Sequence, residues 1–402
     1  MNNVKSDFPI LDKKIRDKTI TYLDSAASTQ KPKQVIHSIS EFLENSYENV
    51  HRGMNSLSID ATDLYEKSRD VAKSFINANS TNEIIFTRGA TDSINIIANS
   101  LAEHLNKGDK IVLTELEHHS NYLPWMHLCK KLELELKIIP ISKEGILSED
   151  EIINNCDDTT KVLSLTHMSN VTGQILDIKK IKQEINKDIY VAVDGCQSIA
   201  HLNIDVKDLN CDFYSFSSHK LYGPSGIGIM FGKEDILNQL NPPTLGGGMI
   251  NEVSSNDFSY AMLPNKFEPG TPSIEAAIGF KAAMEYLNNI NYQDYFSKEK
   301  KLRSTLISAL NDFEEIEIYG SNKNGNANSI VSFNIKNQNF NDIATFLDQY
   351  GIMIRGGHHC CQPFMKKLGI PGSCRVSFGI YNDINDIDHF VDSMKKTLKL
   401  LQ

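Results

Sequence analysis

No run of about 18 consecutive apolar residues occurs in this 402-residue chain, so no membrane-spanning helix is expected. Blocks of Lys and Arg are missing as well. The chain carries 41 Lys and Arg against 51 Asp and Glu, a net charge of −10, which argues against nucleic acid or an anionic membrane as partner. Its seven cysteines, at 129, 156, 196, 211, 360, 361 and 374, show no CxxC spacing. An odd, irregular set fits a reducing cytoplasm better than a disulfide framework. The N-terminal "MNNVKSDFPILDKKIRDKT" alternates charged and apolar residues too often for a signal-peptide core. There is no GxxxxGK[ST] phosphate loop, and the glycines of "GPSGIG" (223–228) have the wrong spacing for a dinucleotide fingerprint. Internal repeats and long low-complexity linkers are also lacking.

What is present is an alternation. "KIVLTE" (110–115), "LKIIPIS" (136–142), "KVLSLTH" (161–167), "IYVAVDG" (189–195) and "CDFYSFSSH" (211–219) read as strands; "PWMHLCKKLELE", "SEDEIINNC" and "IKKIKQEIN" between them read as helices. That order predicts βα units around a mostly parallel sheet, with ligands at the strand ends. Beyond about residue 262 the pattern changes. Two long helices, "SIEAAIGFKAAMEYLNNI" and "YFSKEKKLRSTLISALNDF", precede the strand "IVSFNIK", a helix and strand in "FNDIATFLDQYGIMIRGG", and the strand "CRVSFGIYN". "SNKNGNANS" (321–329) reads as a loop. The length suggests two domains, a larger α/β unit over 17–262 and a smaller α+β unit from 1–16 and 263–402.

Four places could carry chemistry. Lys220 stands in "SFSSHKLYGPSG" and Asp194 ends the strand of "VAVDGCQS", so two successive strand ends could present an amine and a carboxylate to one pocket. A lysine imine to pyridoxal phosphate, with an acid at the ring nitrogen, needs that pairing; taken alone, Asp194 reads as a turn cap and Lys220 as a solvated strand-end lysine. In "IIFTRGATDSINIIANSL" a strand, a glycine turn and a helix follow one another, and the helix start near Ala90 and Thr91 suits a phosphate. An ordinary N-cap by Thr91 or Asp92 explains the same pattern. His118 or His119 follows a strand and could stack on a ring or move protons, or be a hydrogen-bonded surface histidine. In "IRGGHHCCQP" a metal site is disfavoured because adjacent strand residues point to opposite faces. A buried structural cysteine pair or a nucleophilic cysteine made mobile by the preceding glycines remains. Arg375 suits a substrate carboxylate.

Taken in order, "YLDSAASTQKP", "NVHRGMNSLS", "FTRGATDSIN", "EHHSNYLPW", "THMSNVTG", "VDGCQS", "FSSHKLYGPSGIG", "FEPGTPS", "RGGHHC" and "CRVSFGIYN" make the chain resemble the pyridoxal-phosphate-dependent cysteine desulfurases. The resemblance is to the SufS-like class of the class V aminotransferase group and runs over nearly the whole length. It implies an α/β chain of PLP fold type I. Its large domain would have a mostly parallel central sheet flanked by helices, and a smaller α+β domain would carry the catalytic cysteine. By this likeness Lys220 would hold pyridoxal 5'-phosphate covalently, Asp194 would face the ring nitrogen, Gln197 the ring oxygen, and His118 would stack on the ring. Thr91, Ser217 and His219, with backbone near Ala90, would bind the phosphate, and Thr271 would reach the cofactor of the other subunit of a homodimer. Asn170, Arg355 and Arg375 would orient L-cysteine; His51 and Arg52 lie in a motif typical of the class. Cys360 would take the sulfur as a persulfide, leaving alanine. An acceptor protein of the SufE or SufU type would receive that sulfur for iron–sulfur cluster assembly. Cys360 stands far beyond Lys220, so the small domain must fold back over the large one.

Three positions depart from the family pattern. Gly356 replaces a commonly bulkier residue and would give the backbone more freedom. Cys361 replaces a frequent alanine, as an alternative thiol or a resolving partner. "LGGGMI" (245–250) is one residue shorter than the usual hairpin, which in relatives contributes to the neighbouring subunit's site. The same fold also serves selenocysteine lyases and cysteine sulfinate desulfinases. A non-enzymatic alternative is an inactive scaffold or sulfur-carrier partner, against which the intact Lys220, Asp194, His118 and Cys360 argue.

Overall fold

The computed structural model describes residues 4–51, 53–290, 292–320 and 326–401. Seven strands form the main sheet: β1 (Ile84–Thr87), β2 (Lys110–Thr114), β3 (Glu135–Ile139), β4 (Thr160–Thr166), β5 (Tyr190–Asp194), β6 (Phe213–Ser217) and β7 (Gly228–Gly232). Their order is β1-β7-β6-β5-β4-β2-β3. All pairings are parallel except those of β7, which runs antiparallel to both β1 and β6.

Alternate residues of these strands enter two different cores. Phe86, Val112, Leu163, Leu165, Val191, Val193, Tyr214 and Phe216 pack on one face, and Ile85, Ile111, Leu113, Val162, Ala192 and Phe213 on the other. A sheet covered by helices on both faces needs apolar residues at every strand position, which is why its strands read as continuous apolar runs. The helices Lys33–Asn45, Ser56–Phe75 and Ile274–Asn288 pack together as one group.

A second, antiparallel sheet is ordered Ile316–Tyr319, Ile330–Ile335, Ser373–Ser377, Arg355–Gly357. Its apolar face, with Val331, Phe333, Ile335, Cys374 and Val376, packs on Leu302, Leu306, Phe390 and Met394 of two long helices, Tyr292–Asn311 and Ile384–Leu401. The N-terminal segment reaches this unit as well. Thr21–Tyr22 pairs in parallel with Ile352–Met353, Leu23 joins its core, and Asp24 forms a bridge with Ser377. The loop expected over 321–329 falls partly outside the described residues; Gln174 pairs with Ala327 at its far end.

One buried ion pair joins the first helix group to the main sheet. Glu268 accepts bonds from Arg69 Nη1 (2.6 Å) and Nη2 (3.0 Å), from the Phe86 amide (2.7 Å) and from the Tyr65 hydroxyl (3.1 Å). Arg69 is fully buried. Removing one partner of such a pair leaves an uncompensated buried charge. Glu268→Ala is therefore expected to lower stability by about 3–5 kcal/mol, read as a fall in the urea midpoint with an unchanged slope.

Candidate active site

The site is built at one edge of the main sheet. Register aligns Asp194, the last residue of β5, with Thr166, the last of β4, and with Ser215 in β6. The 3-10 turn Ser218–Lys220 follows directly on Ser217. The carboxylate strand end and the lysine turn thus lie side by side. The N-terminal segment clamps that turn: the His219 carbonyl accepts from the Thr29 amide (3.0 Å) and from Lys31 Nζ (3.1 Å), and Thr29 Oγ1 accepts from the Tyr222 amide (2.7 Å).

The helix Ala90–Leu101 begins at the same edge. Its N-cap is Gly89 at φ 146°, not Thr91 or Asp92. Asp92 instead accepts from the Arg88 amide (3.1 Å) and pairs with its guanidinium (2.7 Å), and Thr91 Oγ1 lies 2.7 Å from Ser120 Oγ. The Ala90 amide donates to Ser217 Oγ at 2.8 Å. A glycine at 228 permits this docking, because a Cβ there would stand 2.6 Å from the Gly89 Cα. The helix start is therefore pressed against the strand ends with the hydroxyls of Thr91, Ser120 and Ser217 gathered around it.

His118 caps the short turn His119–Asn121: its Nδ1 accepts from the Ser120 amide (3.1 Å), which leaves the proton on Nε2. Burial, reinforced by the Lys220 charge, pulls its pKa down to about 3, so the ring is neutral. Burial likewise lowers His219 to about 4. Behind His118 lies Glu117, fully buried between Thr114 Oγ1 (2.7 Å) and Asn121 Nδ2 (2.6 Å), with burial pushing its carboxyl up to about 8. Gln197 Nε2 donates to the Ala26 carbonyl (2.9 Å).

The second sheet brings Cys360 to this edge. The chain turns sharply after Arg355–Gly357, with Gly357 at φ 139° and both His359 and Cys360 at φ 53°. The turn is tethered rather than loose. The His119 amide donates to the Cys360 carbonyl (2.7 Å), Asn170 Nδ2 to the His359 carbonyl (2.7 Å), and the Cys360 amide to His358 Nδ1 (3.0 Å). Gly356 does not confer the freedom expected of it. It pairs with Cys374 in the sheet, and a Cβ there would lie 3.1 Å from the Phe340 carbonyl, so the glycine serves a close approach. Cys361 points the other way, fully buried, with Sγ 3.6 Å from the Glu115 carbonyl and burial pushing its thiol well up. That is the environment of an inert structural thiol. Cys360 is half-buried.

Two guanidiniums complete the wall. Arg375 Nη2 lies 3.2 Å from Asp24 Oδ1 and Arg355 Nη2 lies 2.8 Å from Asp24 Oδ2, while Arg375 Nη1 donates to the Asn170 carbonyl (3.0 Å). A cavity of about 410 Å³ results, and Ala90, Thr91, His118, Asn170, Asp194, Gln197, Ser217, His219, Lys220, Arg355, Cys360 and Arg375 all line it. His51 and Thr271 do not. They share a separate cavity of about 450 Å³ with Gly247 and Gly248 of the glycine-rich segment. Arg52 lies outside the described residues. Sequence reasoning missed Asp24, Glu117 and the wall residue Cys196. Asp24 stood inside the quoted "YLDSAASTQKP", but nothing in that string signals an arginine partner. Among the described residues no group of three or more His, Cys, Asp or Glu side chains is placed to hold a metal ion, and no described helix is long and apolar enough to cross a membrane.

Comparison with known proteins agrees with this geometry. The aminotransferase class-V family model matches residues 21–390. The chain belongs to the class-V aminotransferase family. Within it, the chain is 42% identical, over 99% of its length and 96% of the relative's, to a Staphylococcus aureus protein named "Probable cysteine desulfurase". Among solved structures it is similar to the apo cysteine desulfurase of Thermococcus onnurineus NA1 (TM-score 0.94, 35% identity, 98% of this chain and 97% of that one). It is also similar to the Escherichia coli cysteine desulfurase CsdA in its S-sulfonic acid form (TM-score 0.90, 32% identity, 98% of each chain). The family's α/β fold and the seven-stranded, mostly parallel sheet are thus shared over essentially the full length.

The contrast between the neighbouring thiols is measurable. Under limiting iodoacetamide, peptide mapping of the native protein is expected to find Cys360 alkylated about 100-fold faster than Cys361, with Cys361 reacting only on unfolding.

Proposed function

We propose that this protein is a SufS-like, pyridoxal-phosphate-dependent cysteine desulfurase. It would convert L-cysteine to L-alanine and pass the sulfur through Cys360 to an acceptor protein of the SufE or SufU type for iron–sulfur cluster assembly. The observation that carries this reading is the convergence of Lys220, Asp194, His118 and Cys360, from four distant segments, on one cavity. The donor set fits the cofactor. The helix start at Ala90 and Thr91, with Ser217 and His219, offers N–H and polar side-chain groups to a phosphate. Asp194 supplies the carboxylate for a ring nitrogen, Gln197 an amide for the ring oxygen, and the neutral His118 a flat face for stacking. Lys220 supplies the amine for covalent attachment.

Pyridoxal phosphate, when bound, draws electrons away from the bonds at the substrate's α-carbon. The protein's own groups do the rest. Asn170, Arg355 and Arg375 hold the substrate, the two arginines through its carboxylate. Lys220 Nζ takes the proton from the α-carbon, and the tethered turn around it limits the directions in which that amine can move. The Cys360 thiolate attacks the substrate sulfur. A sulfur–sulfur bond forms as the carbon–sulfur bond breaks, and the bonding pair stays with the carbon fragment, which gains a proton and leaves as alanine. An acceptor thiol then removes the outer sulfur and restores Cys360. The buried, neutral Cys361 takes no part.

The same reading makes the protein a cytoplasmic homodimer. His51 and Thr271 stand together away from Lys220, which suits a contribution to the partner's cofactor site. Met54, Leu57, Leu245, Val253, Phe258 and Met262, all exposed, lie in the chain segments around them, and exposed apolar surface of this kind marks an interface. Sedimentation equilibrium should give twice the chain mass; a mass of one chain would sink the dimer.

Alanine and sulfide release from L-cysteine with a thiol reductant tests the enzyme reading, on wild type and Cys360→Ala after recording visible spectra. Both proteins should absorb in the visible with cofactor, and only wild type should turn over, with a loss of at least about 100-fold in the variant. Equal activity of the two would remove Cys360 from the reaction, and a wild type without a visible band would remove the cofactor.

A further inference from the structure

We propose that Thr29 is the positioning residue of Lys220: its hydroxyl ties together the backbone on both sides of that lysine and fixes the point from which the amine reaches the cavity. The inference rests on the cofactor and desulfurase reading above and adds a group that serves it. Thr29 is buried. Its Oγ1 donates to the His219 carbonyl (3.1 Å) and accepts from the Tyr222 amide (2.7 Å). A hydroxyl carries one proton and two lone pairs. The same oxygen therefore holds the residue just before Lys220 as a donor and a residue just after it as an acceptor.

The backbone at this point is strained. Tyr222 has φ 62°, a left-handed conformation that is an outlier for a bulky side chain. Such a residue persists only where its surroundings over-determine it, and such residues cluster at active sites. Here the ring is fully buried, with centroids 6.0 Å from Phe8 and 6.1 Å from Tyr381, and its hydroxyl accepts from the Ile380 amide (3.0 Å). The core holds the ring, and Thr29 holds the amide. On the other side of Lys220, the His219 carbonyl also faces the Thr29 amide (3.0 Å), Ser28 Oγ (3.2 Å) and Lys31 Nζ (3.1 Å). An amine that joins a cofactor and then moves a proton at the substrate's α-carbon must reach two places from one base. A lysine side chain has many rotamers, so what the fold can set is the backbone that carries it, and the Thr29 bridge sets it. Asp24, on the same segment, holds Arg355 and Arg375, and Ala26 and Ala27 line the cavity. One short piece of backbone thus places both the substrate arginines and the base of the lysine.

The test compares wild type with Thr29→Val, which keeps the side-chain shape and removes both bonds, and with Thr29→Ser, which keeps both. Pyridoxal phosphate added to the cofactor-free full-length chain gives the rate at which the visible band rises, a measure of how readily the Lys220 amine meets an aldehyde. Alanine release from L-cysteine by the loaded protein gives kcat and KM, and the urea midpoint gives stability. In Thr29→Val, band formation and kcat should each fall about tenfold while KM changes by less than about twofold. Thr29→Ser should stay within about twofold of wild type in all of them. A Thr29→Val protein that loses stability but keeps both rates would show an ordinary turn support and overturn the proposal, as would a Thr29→Ser protein that behaves like Thr29→Val. If Thr29→Val shows no cooperative melt, Thr29→Ala, which removes the same bonds without the second methyl group, is read by the same measurements and the same criteria. A wild type that forms the band but releases no alanine overturns the desulfurase reading alone, because band formation still decides the role of Thr29. A wild type that forms no band overturns both.

Discussion

The alignment of Asp194 with Thr166 on one side and Ser215 on the other is the constraint from which the site follows. In a sheet of parallel strands all chains leave by the same edge, so a register that matches strand ends also matches the loops that follow them. Asp194, the Ser218–Lys220 turn and the His118 turn are neighbours for that reason. The antiparallel β7 adds the last element. It inserts between β1 and β6, and its Gly228 lies so close to Gly89 that the helix Ala90–Leu101 is drawn onto the same edge. A one-residue slip of any of these strands would turn its side chains to the opposite face and scatter the groups.

A second constraint closes the cavity. Three polar contacts, from His119 and Asn170 to the backbone at 359–360 and from Arg375 to the Asn170 carbonyl, tie the Cys360 turn and the second sheet to the main one. Asn170 takes part in two of them. It braces the turn that carries the thiol and the guanidinium that faces the cavity, so the two cannot move independently. The left-handed conformations of His359 and Cys360 are held by these contacts; without such support non-glycine residues rarely keep them.

Much of this was legible beforehand. Lys220, Asp194, His118 and the helix start at Ala90 all stand at or just after the ends of strands with marked apolar runs, and the strand-end rule makes them candidates for one pocket. The C-terminal unit was legible as a sequence of helices and strands, but its docking was not. The glycines of "RGGHH" suggested freedom and turned out to serve close packing at 356 and a sharp turn at 357. Cys361 could not be told from Cys360 by type, and only burial separates them. Asp24 gave no signal, because its partners lie more than 300 positions away along the chain.

By itself the sequence determined the βα alternation, the residues at each strand end, and the absence of phosphate loops and spanning helices, since these depend on local periodicity and on residue type. Only the tertiary structure decided that Asp24 holds Arg355 and Arg375, that Cys360 faces the cavity while Cys361 faces the core, and that His51 and Thr271 stand apart from Lys220. Those outcomes depend on how two sheets and an N-terminal segment pack against one another. Packing joins residues by shape and charge across long chain separations, and no local pattern records it.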